Sequence, residues 1–238
     1  MLTNKLKRLL VSTAPRSVAA YCRARTFFTR VVNPTSFMEH TFTSIYQENL
    51  WGDAESVSGP GSTIRESTKL RNELPTLLKE IDAKSMLDAP CGDFNWLSKV
   101  QLPLDKYIGA DIVADLIAQN RKLYTNEQRE FLVRDITRAN LPAVDLILCR
   151  DCFIHFSFRH IADTIQNFKR TKSTYLLTNT YPSWTENADI QTGAFRPVNL
   201  QLAPFNFAPP LKLIMEKEPE QQELYFGKSL GLWKLEEL

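Results

Sequence analysis

From residue 85 onward, short apolar runs alternate with helix-like segments, and this alternation constrains the fold more than any other feature of the sequence. The apolar runs are three to five residues long, which suits strands buried in a sheet. Segments such as Val113–Tyr124 and Arg159–Phe168 separate several of the runs. The pattern predicts an α/β domain with a mostly parallel sheet and helices on both faces. The predicted strands are Ser85–Ala89, Tyr107–Ala110, Phe131–Val133, Asp145–Cys149 and Tyr175–Thr178.

Two further apolar runs, Leu211–Met215 and Leu224–Lys234, lie near the end of the sequence. Too few residues separate them for a crossover helix, so we expect the two strands to pair antiparallel. The sequence therefore predicts a parallel sheet that ends in an antiparallel hairpin.

A loop and then a helix are predicted before the first strand. Three of the eight glycines fall within residues 51–62, which is typical of a loop. Ser62 or Thr63 can cap the following helix, with Glu66 in its first turn. Pro75 is expected to interrupt this helix, or to begin a second helix that ends near Ile81.

Residues 179–210 are mostly irregular and contain five prolines. A stretch of this length without regular structure is usually functional in a compact domain. Its aromatic rings and polar side chains would suit a sugar or another polar acceptor, and a loop held over the sheet by its own aromatics is the alternative. The side chains concerned are Tyr181, Trp184, Phe195, Phe205, Phe207, Asn179, Asn199, Asn206 and Arg196.

Charge is distributed unevenly, although the net charge of the whole chain is only +2. Residues 1–33 contain seven lysines and arginines and no acidic residue, and all 27 acidic residues follow them. We therefore expect two parts, a basic amphipathic N-terminal extension over residues 1–35 and one folded domain over residues 36–238.

The extension has three interpretations that its sequence leaves open. Leu2, Leu6, Leu9 and Leu10 fall on one stripe of a helix, with basic residues beside it, as in helices that lie on anionic membranes. A removable organelle transit peptide has the same composition, and a packed or solvated N-terminal helix is the third interpretation. No apolar run is long enough to span a membrane or to serve as a secretory signal. No known nucleic-acid-binding fold accompanies the basic residues, so no nucleic-acid partner is expected.

Cysteine spacing indicates thiols rather than metal ligands or disulfides. Cys149 and Cys152 form one CxxC pair (CRDC), but Cys22 and Cys91 are far apart in the sequence, so no second pair completes a zinc site. We therefore expect no metal and a reducing compartment, which is the cytoplasm or the inner face of its membrane, with organelle import as the alternative.

Acidic residues follow four successive predicted strands. Because the carboxyl ends of parallel strands meet at one edge of a sheet, where ligands bind, we expect these side chains to surround one site. Asp111 is placed to accept hydrogen bonds from a ribose diol, and Asp135 beside Ile136 could contact an adenine. The other strand ends carry Asp88, followed by Gly92 in a turn, and the group Arg150, Asp151 and His155.

These strand ends resemble those of the class I S-adenosylmethionine-dependent methyltransferases. The resemblance rests on the Asp88 loop, on Asp111 and Asp135, and on the block from Asp145 to His155, and it spans roughly residues 62–238. At finer grain, SGPGS, LDAPCGDFNW, YIGADIV, LCRDCFIHFS, FRPVNL and KSLGLWKLEE resemble a poorly characterised bacterial branch that often occurs near surface-polysaccharide genes.

The resemblance implies a Rossmann-like methyltransferase sheet that binds S-adenosylmethionine. The turn around Cys91–Asp93 would hold the methionine part, Asp111 the ribose, and Asp135 with Ile136 the adenine. Arg65 is expected to pair with the cofactor carboxylate, and Arg150 either to pair with Asp151 or to hold an anionic acceptor. The full set of expected cofactor-binding residues is Arg65, Asp88, Pro90, Cys91, Gly92, Asp93, Asp111, Ile112, Asp135, Ile136 and Arg150.

One part of the sequence departs from the usual D-x-G-x-G-x-G loop of that family. Pro90 and Phe94 stand where the outer glycines are expected, and Phe94 adds bulk where a ligand approaches closely. The G-x-G-x-x-G string that a dinucleotide pyrophosphate needs is absent as well. The departure weakens the motif, and the missing string disfavours a dinucleotide.

Methyl transfer from a sulfonium requires alignment of the acceptor and removal of its proton. Asp151 and His155 are the candidates for the base, although Asp151 could instead bind the cofactor amine and His155 could be a packed histidine. The sequence predicts O-methylation of a glycan, nucleotide-sugar or lipid-linked acceptor. The alternatives are a nucleotide-dependent, sugar-modifying oxidoreductase and a non-catalytic cofactor-binding module recruited to membranes.

Overall fold

A computed structural model describes residues 34–216 and 227–238, and the side chains from residue 37 onward in the first of these ranges. The basic extension lies almost wholly outside the described residues, so its amphipathic helix stays a prediction. Seven strands of the described ranges form one sheet. The strands are β1 (Ser85–Asp88), β2 (Lys106–Asp111), β3 (Arg129–Val133), β4 (Leu146–Cys149), β5 (Tyr175–Thr180), β6 (Lys212–Met215) and β7 (Ser229–Lys234).

The strand order is β3-β2-β1-β4-β5-β7-β6. Strands β1 to β5 pair parallel, whereas β7 pairs antiparallel with both β5 and β6. The predicted mostly parallel sheet with its antiparallel hairpin is therefore confirmed. The last strand begins at Ser229 and not at Leu224, and residues 224–226 lie outside the described part of the chain.

The described chain also forms four α-helices, and both faces of the sheet are buried. Leu87 and Ile147 belong to the core on one face, with Met38 of the first helix and Phe168 of the last. Met86 and Leu148 belong to the core on the other face. This alternation along each strand confirms helices on both faces. The helices are α1 (Pro34–Gln47), α2 (Thr68–Glu80), α3 (Ala114–Tyr124) and α4 (Phe158–Arg170).

Helix α2 differs from its predicted form at both its start and its middle. The Thr63 hydroxyl does accept a hydrogen bond from the Glu66 amide, at 3.3 Å, but the regular helix begins only at Thr68. Pro75 neither interrupts the helix nor starts a second one; it lies inside α2. The apolar side chains of α2, including Leu74 and Leu78, are buried against the sheet, and this burial keeps the helix continuous through the proline.

Helix α1 lies where no helix was predicted, directly after the basic extension. Its apolar side chains Met38, Phe42 and Ile45 recur at helical spacing and form one stripe along the helix. Phe42 meets Phe156, with ring centroids 5.8 Å apart. Gly193 (φ +98°) lies so close to the helix that a Cβ there would be 2.7 Å from Thr41 Cγ2. Helix α1 is thus packed onto the domain rather than detached from it.

The chain between β5 and β6 forms no helix or strand from Tyr181 to Leu211, as the sequence predicted. Its polar side chains hold it together, since Asn187 bonds the carbonyls of Asn199 and Ala203. Asn199 in turn donates to Trp184 and Pro182. Within the residues described, none of the helices is long and apolar enough to span a membrane.

Candidate active site

A cavity of about 960 Å³, counted with the space at its mouth, opens at the carboxyl ends of the first four strands. It lies where the strand order reverses between β1 and β4, which is the usual ligand site of such sheets. Helix α1 and the loop after it line the cavity as well. The residues that line it include Met38, Phe42, Tyr46, Trp51, Ser58, Asp88, Pro90, Cys91, Gly92, Trp96, Asp111, Ile112, Arg134, Asp135, Ile136, Arg150, Asp151, Cys152 and His155.

The turn after β1, residues 91–95, has no backbone amide left for a ligand. The Gly92 amide donates to Asp111 at 3.2 Å, and the Asp93 amide donates to Ser58 Oγ at 2.9 Å. The amides of Cys91 and Phe94 donate to backbone carbonyls, and that of Asn95 donates to the Asp93 carboxylate. This turn therefore differs from a phosphate-binding loop, whose free amides surround an anion.

Glycine is required at position 92 on two grounds. Its φ is +54°, and a Cβ would lie 2.3 Å from Ser58 Oγ. Phe94 also has a positive φ, of +57°, but its side chain is buried against Tyr107 and Phe131. The bulk of Phe94 therefore points away from the cavity, and the expected obstruction of ligand approach does not arise.

Asp111, at the end of β2, has a carboxylate fixed by two backbone amides. Oδ2 accepts from Gly92 and Oδ1 accepts from Val113 at 3.0 Å. Burial raises the pKa of Asp111, and the backbone hydrogen bonds oppose that shift. Asp111 lines the cavity, with Ile112 beside it.

Asp88, at the end of β1, is buried beneath the cavity and accepts a hydrogen bond from the Tyr107 hydroxyl at 2.8 Å. Burial raises the pKa of Asp88 to about 7, against the opposing effects of this hydrogen bond and of the Arg150 charge. The carboxyl group is therefore partly protonated at neutral pH.

The end of β3 places Asp135 and Ile136 on the cavity wall, with Arg134 beside them. Asp135 Oδ1 accepts from the amide and the hydroxyl of Thr137, and Oδ2 pairs with Arg138 at 2.8 Å. Ile136 is buried and presents an apolar surface. The predicted combination of an acid and an apolar face is present.

A buried network of four charges lies at the opposite wall, where two of its members, Arg150 and Asp151, line the cavity. Arg150 pairs with Glu216 at 2.6 Å and with Asp151 at 3.1 Å. Lys228 lies 2.7 Å from Asp151 and 3.3 Å from Glu216. Arg150 also donates to the carbonyl of Gly61 and lies over the ring of Trp96. This charge network thus joins the end of β4 to both strands of the hairpin.

Asp151 is a poor base in this network. Burial would raise the pKa of Asp151, but the charges of Arg150 and Lys228 outweigh burial and hold the pKa at about 2. Its backbone has a φ of +53°, which is uncommon for a residue with a side chain, although aspartate adopts it more readily than most. A Cβ at Gly61 would lie only 2.7 Å from its carboxylate. Asp151 is therefore held as a permanently ionised acid.

His155 lines the cavity with a ring whose tautomer is fixed by a hydrogen bond. Its Nδ1 lies 2.9 Å from the carbonyl oxygen of Ala194, which can only accept, so the neutral ring carries its proton on Nδ1. Nε2 is then the acceptor. Burial lowers the pKa of His155, although the Ala194 bond and the Asp151 charge oppose this shift. The ring stacks on Trp51 at 5.0 Å and meets Phe195 edge-on.

Two expected cofactor-binding residues do not reach the cavity. The side chain of Arg65 is 89% exposed and pairs with the neighbouring Glu66, so the expectation that it meets a cofactor carboxylate is not met. Asp93 does not line the cavity either, because its Oδ2 accepts from Ser56 and Val57. The residues brought together are Asp88, Pro90, Cys91, Gly92, Asp111, Ile112, Asp135, Ile136, Arg150, Asp151 and His155.

Several site residues were not predicted. Met38, Phe42 and Tyr46 line the cavity from α1, and their spacing of four residues is the signal that could have found them. Glu216 and Lys228 carry no such signal, because each is only a charged residue next to an apolar strand, Glu216 after β6 and Lys228 before β7. Within the described ranges, no three His, Cys, Asp or Glu side chains group as a metal site.

No protein-family model and no curated protein sequence matches the chain. Solved structures share its fold. The methyltransferase domain of a bacterial protein, CtHen1-CN, superposes with a TM-score of 0.54 at 11% identity, covering 71% of this chain and 99% of that one. Magnesium protoporphyrin IX methyltransferase (ChlM) from Synechocystis PCC 6803, solved with bound S-adenosylmethionine, gives 0.52 at 11% identity, over 85% and 97%.

A third similar structure is an S-adenosylmethionine-dependent methyltransferase from Clostridium acetobutylicum ATCC 824. Its TM-score is 0.52 at 11% identity, over 73% of this chain and 95% of that one. The chain therefore has the Rossmann-like fold of the methyltransferases, as its strand order and hairpin indicate.

The raised pKa of Asp88 predicts a pH dependence of stability. Its folded pKa of about 7 lies above the unfolded value, so ionisation of the buried group weakens the fold as pH rises from about 4 to 7. Asp88→Asn cannot ionise and keeps an oxygen for Tyr107. The stability of Asp88→Asn relative to the wild type should rise by on the order of 2–4 kcal/mol across this range and stay constant above it.

Urea unfolding at several pH values between 4 and 8.5 measures this difference. Asp145→Asn is the matched control, since hydrogen bonds from Ser85 and Lys84 outweigh burial and lower the pKa of Asp145. Its effect on stability should not change between pH 5 and 8. If the stability of Asp88→Asn relative to the wild type is as independent of pH as that of the control, the pKa of Asp88 is not raised.

Proposed function

We propose that this protein is an S-adenosylmethionine-dependent methyltransferase that methylates a hydroxyl group of a glycan, nucleotide-sugar or lipid-linked acceptor. The observation that carries the proposal is the chemistry of the cavity at the ends of β1, β2 and β3. Carboxyl groups of Asp88, Asp111 and Asp135 line it, and the amides of residues 91–95 are already bonded within the protein.

These features favour a cationic nucleoside over a dinucleotide. A pyrophosphate needs free backbone amides or unpaired cations, whereas the turn after β1 offers neither and faces the Asp111 carboxylate. A sulfonium with an α-amino group carries positive charge that carboxylates stabilise. The residues present therefore fit S-adenosylmethionine.

The residues that would hold it follow from their places at the strand ends. The turn at Cys91–Gly92 would hold the methionine part, the fixed carboxylate of Asp111 the ribose hydroxyls, and Asp135 with Ile136 the adenine. When bound, the cofactor supplies an electrophilic methyl group. The remaining tasks of the protein are to align the acceptor and to take up its proton.

His155 is the better candidate for the base. Asp151 has a pKa of about 2 and two cationic neighbours, so it holds a proton too weakly to remove one from a hydroxyl. Neutral His155 has Nε2 available as a proton acceptor and lines the same cavity. The ionised Asp151 is better suited to contact a cationic amine or to stabilise the imidazolium that forms.

The ion pairs at the end of β4 indicate which kind of acceptor the site would bind. Arg150 and Lys228 are matched by Asp151 and Glu216, so neither cation is left to hold an anionic group at the end of β4. Aromatic rings of Trp51, Trp96 and Tyr46 line the cavity instead, and such rings pack on the apolar faces of sugars. A neutral hydroxyl on a glycan or lipid-linked sugar is the acceptor that fits best.

The finer resemblance to a bacterial branch near surface-polysaccharide genes points in the same direction. The expected location is the cytoplasm, and Cys91, Cys149 and Cys152 are free thiols, as a reducing compartment would allow. The basic extension would add contact with an anionic membrane surface, where lipid-linked acceptors occur.

Asp111→Asn should weaken the binding of S-adenosylhomocysteine by about 10- to 100-fold, because charge-assisted hydrogen bonds to the ribose are lost. Isothermal titration calorimetry measures the effect. Asp115→Asn is the control, since Asp115 is exposed in the first turn of α3. If both variants bind like the wild type, Asp111 is not the ribose ligand.

His155→Gln should leave the affinity for S-adenosylhomocysteine unchanged but slow methyl transfer by about 10²- to 10⁴-fold, because the proton acceptor is removed. Transfer of tritiated methyl groups from S-adenosylmethionine into a cell extract provides the assay. His40→Gln, at an exposed position of α1, should transfer at the wild-type rate. Unchanged transfer by His155→Gln would assign proton removal elsewhere, and no transfer by the wild type would favour the non-catalytic module.

The basic extension predicts salt-sensitive binding to vesicles of phosphatidylglycerol and phosphatidylcholine. Reversing three charges in the full chain, Lys5→Glu, Lys7→Glu and Arg8→Glu, should weaken the binding about 100-fold or more. Sedimentation with vesicles at low and high salt measures it.

The matched control reverses three exposed lysines of the folded domain, Lys79, Lys99 and Lys122, to glutamate. This variant has the same net charge as the first and should keep most of the vesicle binding. Equal loss in both variants would show a general charge effect, and no loss in the first would rule out the extension as the membrane contact.

A further inference from the structure

The short turn that carries His155 accepts hydrogen bonds, at successive backbone carbonyls, from one segment of the irregular chain between β5 and β6. The turn is Phe153–His155, and the segment, residues 192–196, is here called the bracing segment. The Gly193 amide donates to the carbonyl of His155 at 2.8 Å. The Arg196 amide donates to that of Ile154 at 3.0 Å. Backbone bonds therefore fix the turn from the side of the bracing segment.

The side chain of Arg196 forms hydrogen bonds at both ends of this turn. Its guanidinium donates to the carbonyl of Phe153 at 2.5 Å and to that of Phe156 at 2.8 Å. A third bond reaches Ala188 at 3.2 Å. The planar fork of the guanidinium spans the two carbonyls on either side of His155, which a lysine cannot reproduce.

Burial makes this arrangement unusual. Arg196 is 7% exposed, yet across residues 34–216 and 227–238 no carboxylate lies within salt-bridge distance of it. Backbone carbonyls and the ring of Phe158 are the partners described. Burying a cation without a carboxylate partner is costly, so the three carbonyl bonds are what compensates Arg196 for the loss of water.

The same segment also fixes the tautomer of the neutral His155 ring, because the carbonyl of Ala194 accepts a hydrogen bond from Nδ1–H. The charged groups that act on the ring are Asp151, which favours the imidazolium, and Arg196 and Lys228, which disfavour it. Trp51 and Phe195 pack against the ring and add no charge.

We propose that Arg196 is a positioning residue that holds the neutral His155 ring with its proton on Nδ1, leaving Nε2 as the proton acceptor of the site. This inference rests on the proposed function, in which His155 takes the acceptor proton. It replaces the expectation from the sequence that Arg196 contacts the acceptor, because the guanidinium is directed to backbone carbonyls.

Nuclear magnetic resonance of the full chain labelled with ¹⁵N-histidine tests the inference without an acceptor. Two-bond correlations report which nitrogen of His155 carries the proton, and His155→Gln assigns the signals among the three histidines. In the wild type, we expect the Nδ1–H form and a titration midpoint below the usual histidine range. Arg196→Gln should move the midpoint upward and mix the two tautomers. Arg196→Lys should mix the tautomers with a smaller shift, since the charge is kept.

Arg121→Gln is the matched control, because Arg121 also donates to a backbone carbonyl, that of Phe131, on the other face of the sheet. It should leave the His155 signals unchanged. If His155 keeps its wild-type titration midpoint and tautomer in both Arg196 variants, the inference is wrong. Loss of cooperative thermal unfolding in both variants, including Arg196→Lys, would also contradict it. Arg196 would then be needed for the stability of the whole fold rather than for the position of His155. Failure of the wild type to bind S-adenosylhomocysteine would instead contradict the proposed function, and the His155 signals would still be readable.

Discussion

The buried charge network of Arg150, Asp151, Glu216 and Lys228 is the interaction on which the site depends. Its members come from the end of β4 and from both strands of the hairpin, so it forms only when the hairpin has docked on the parallel part of the sheet. Removing one member would leave an uncompensated buried charge, which costs about 3–5 kcal/mol. The hairpin therefore supports Arg150 and Asp151, which line the cavity, and it also forms the edge of the sheet.

The network also determines which groups remain for chemistry. It keeps Asp151 ionised at a pKa of about 2 and occupies both cations, so this wall offers neither a base nor an anion-binding group. His155 lies next to the network, with its Nδ1 proton directed to Ala194. The division between an acid that stays charged and an imidazole that stays neutral follows from these contacts.

Much of the fold and about half of the site follow from local sequence signals. The strands were predictable because their apolar runs are short and buried on both faces. Asp111 and Asp135 were predictable because each lies at or just after the end of such a run. Pro75 was misread because its local preference is overruled by the burial of Leu74 and Leu78. The sequence could not predict that Glu216 and Lys228 belong to the site or that Arg196 supports the turn at His155. Each of these roles depends on partners between 40 and 80 residues away in the chain.

The central claim is that the cavity binds a sulfonium nucleoside and not a dinucleotide. Calorimetric titration of the full chain with S-adenosylhomocysteine and, separately, with NAD tests it most directly. The geometry of the turn after β1 and of Asp111 predicts saturable binding of S-adenosylhomocysteine and none of NAD. Binding of NAD alone would contradict the account and favour the oxidoreductase.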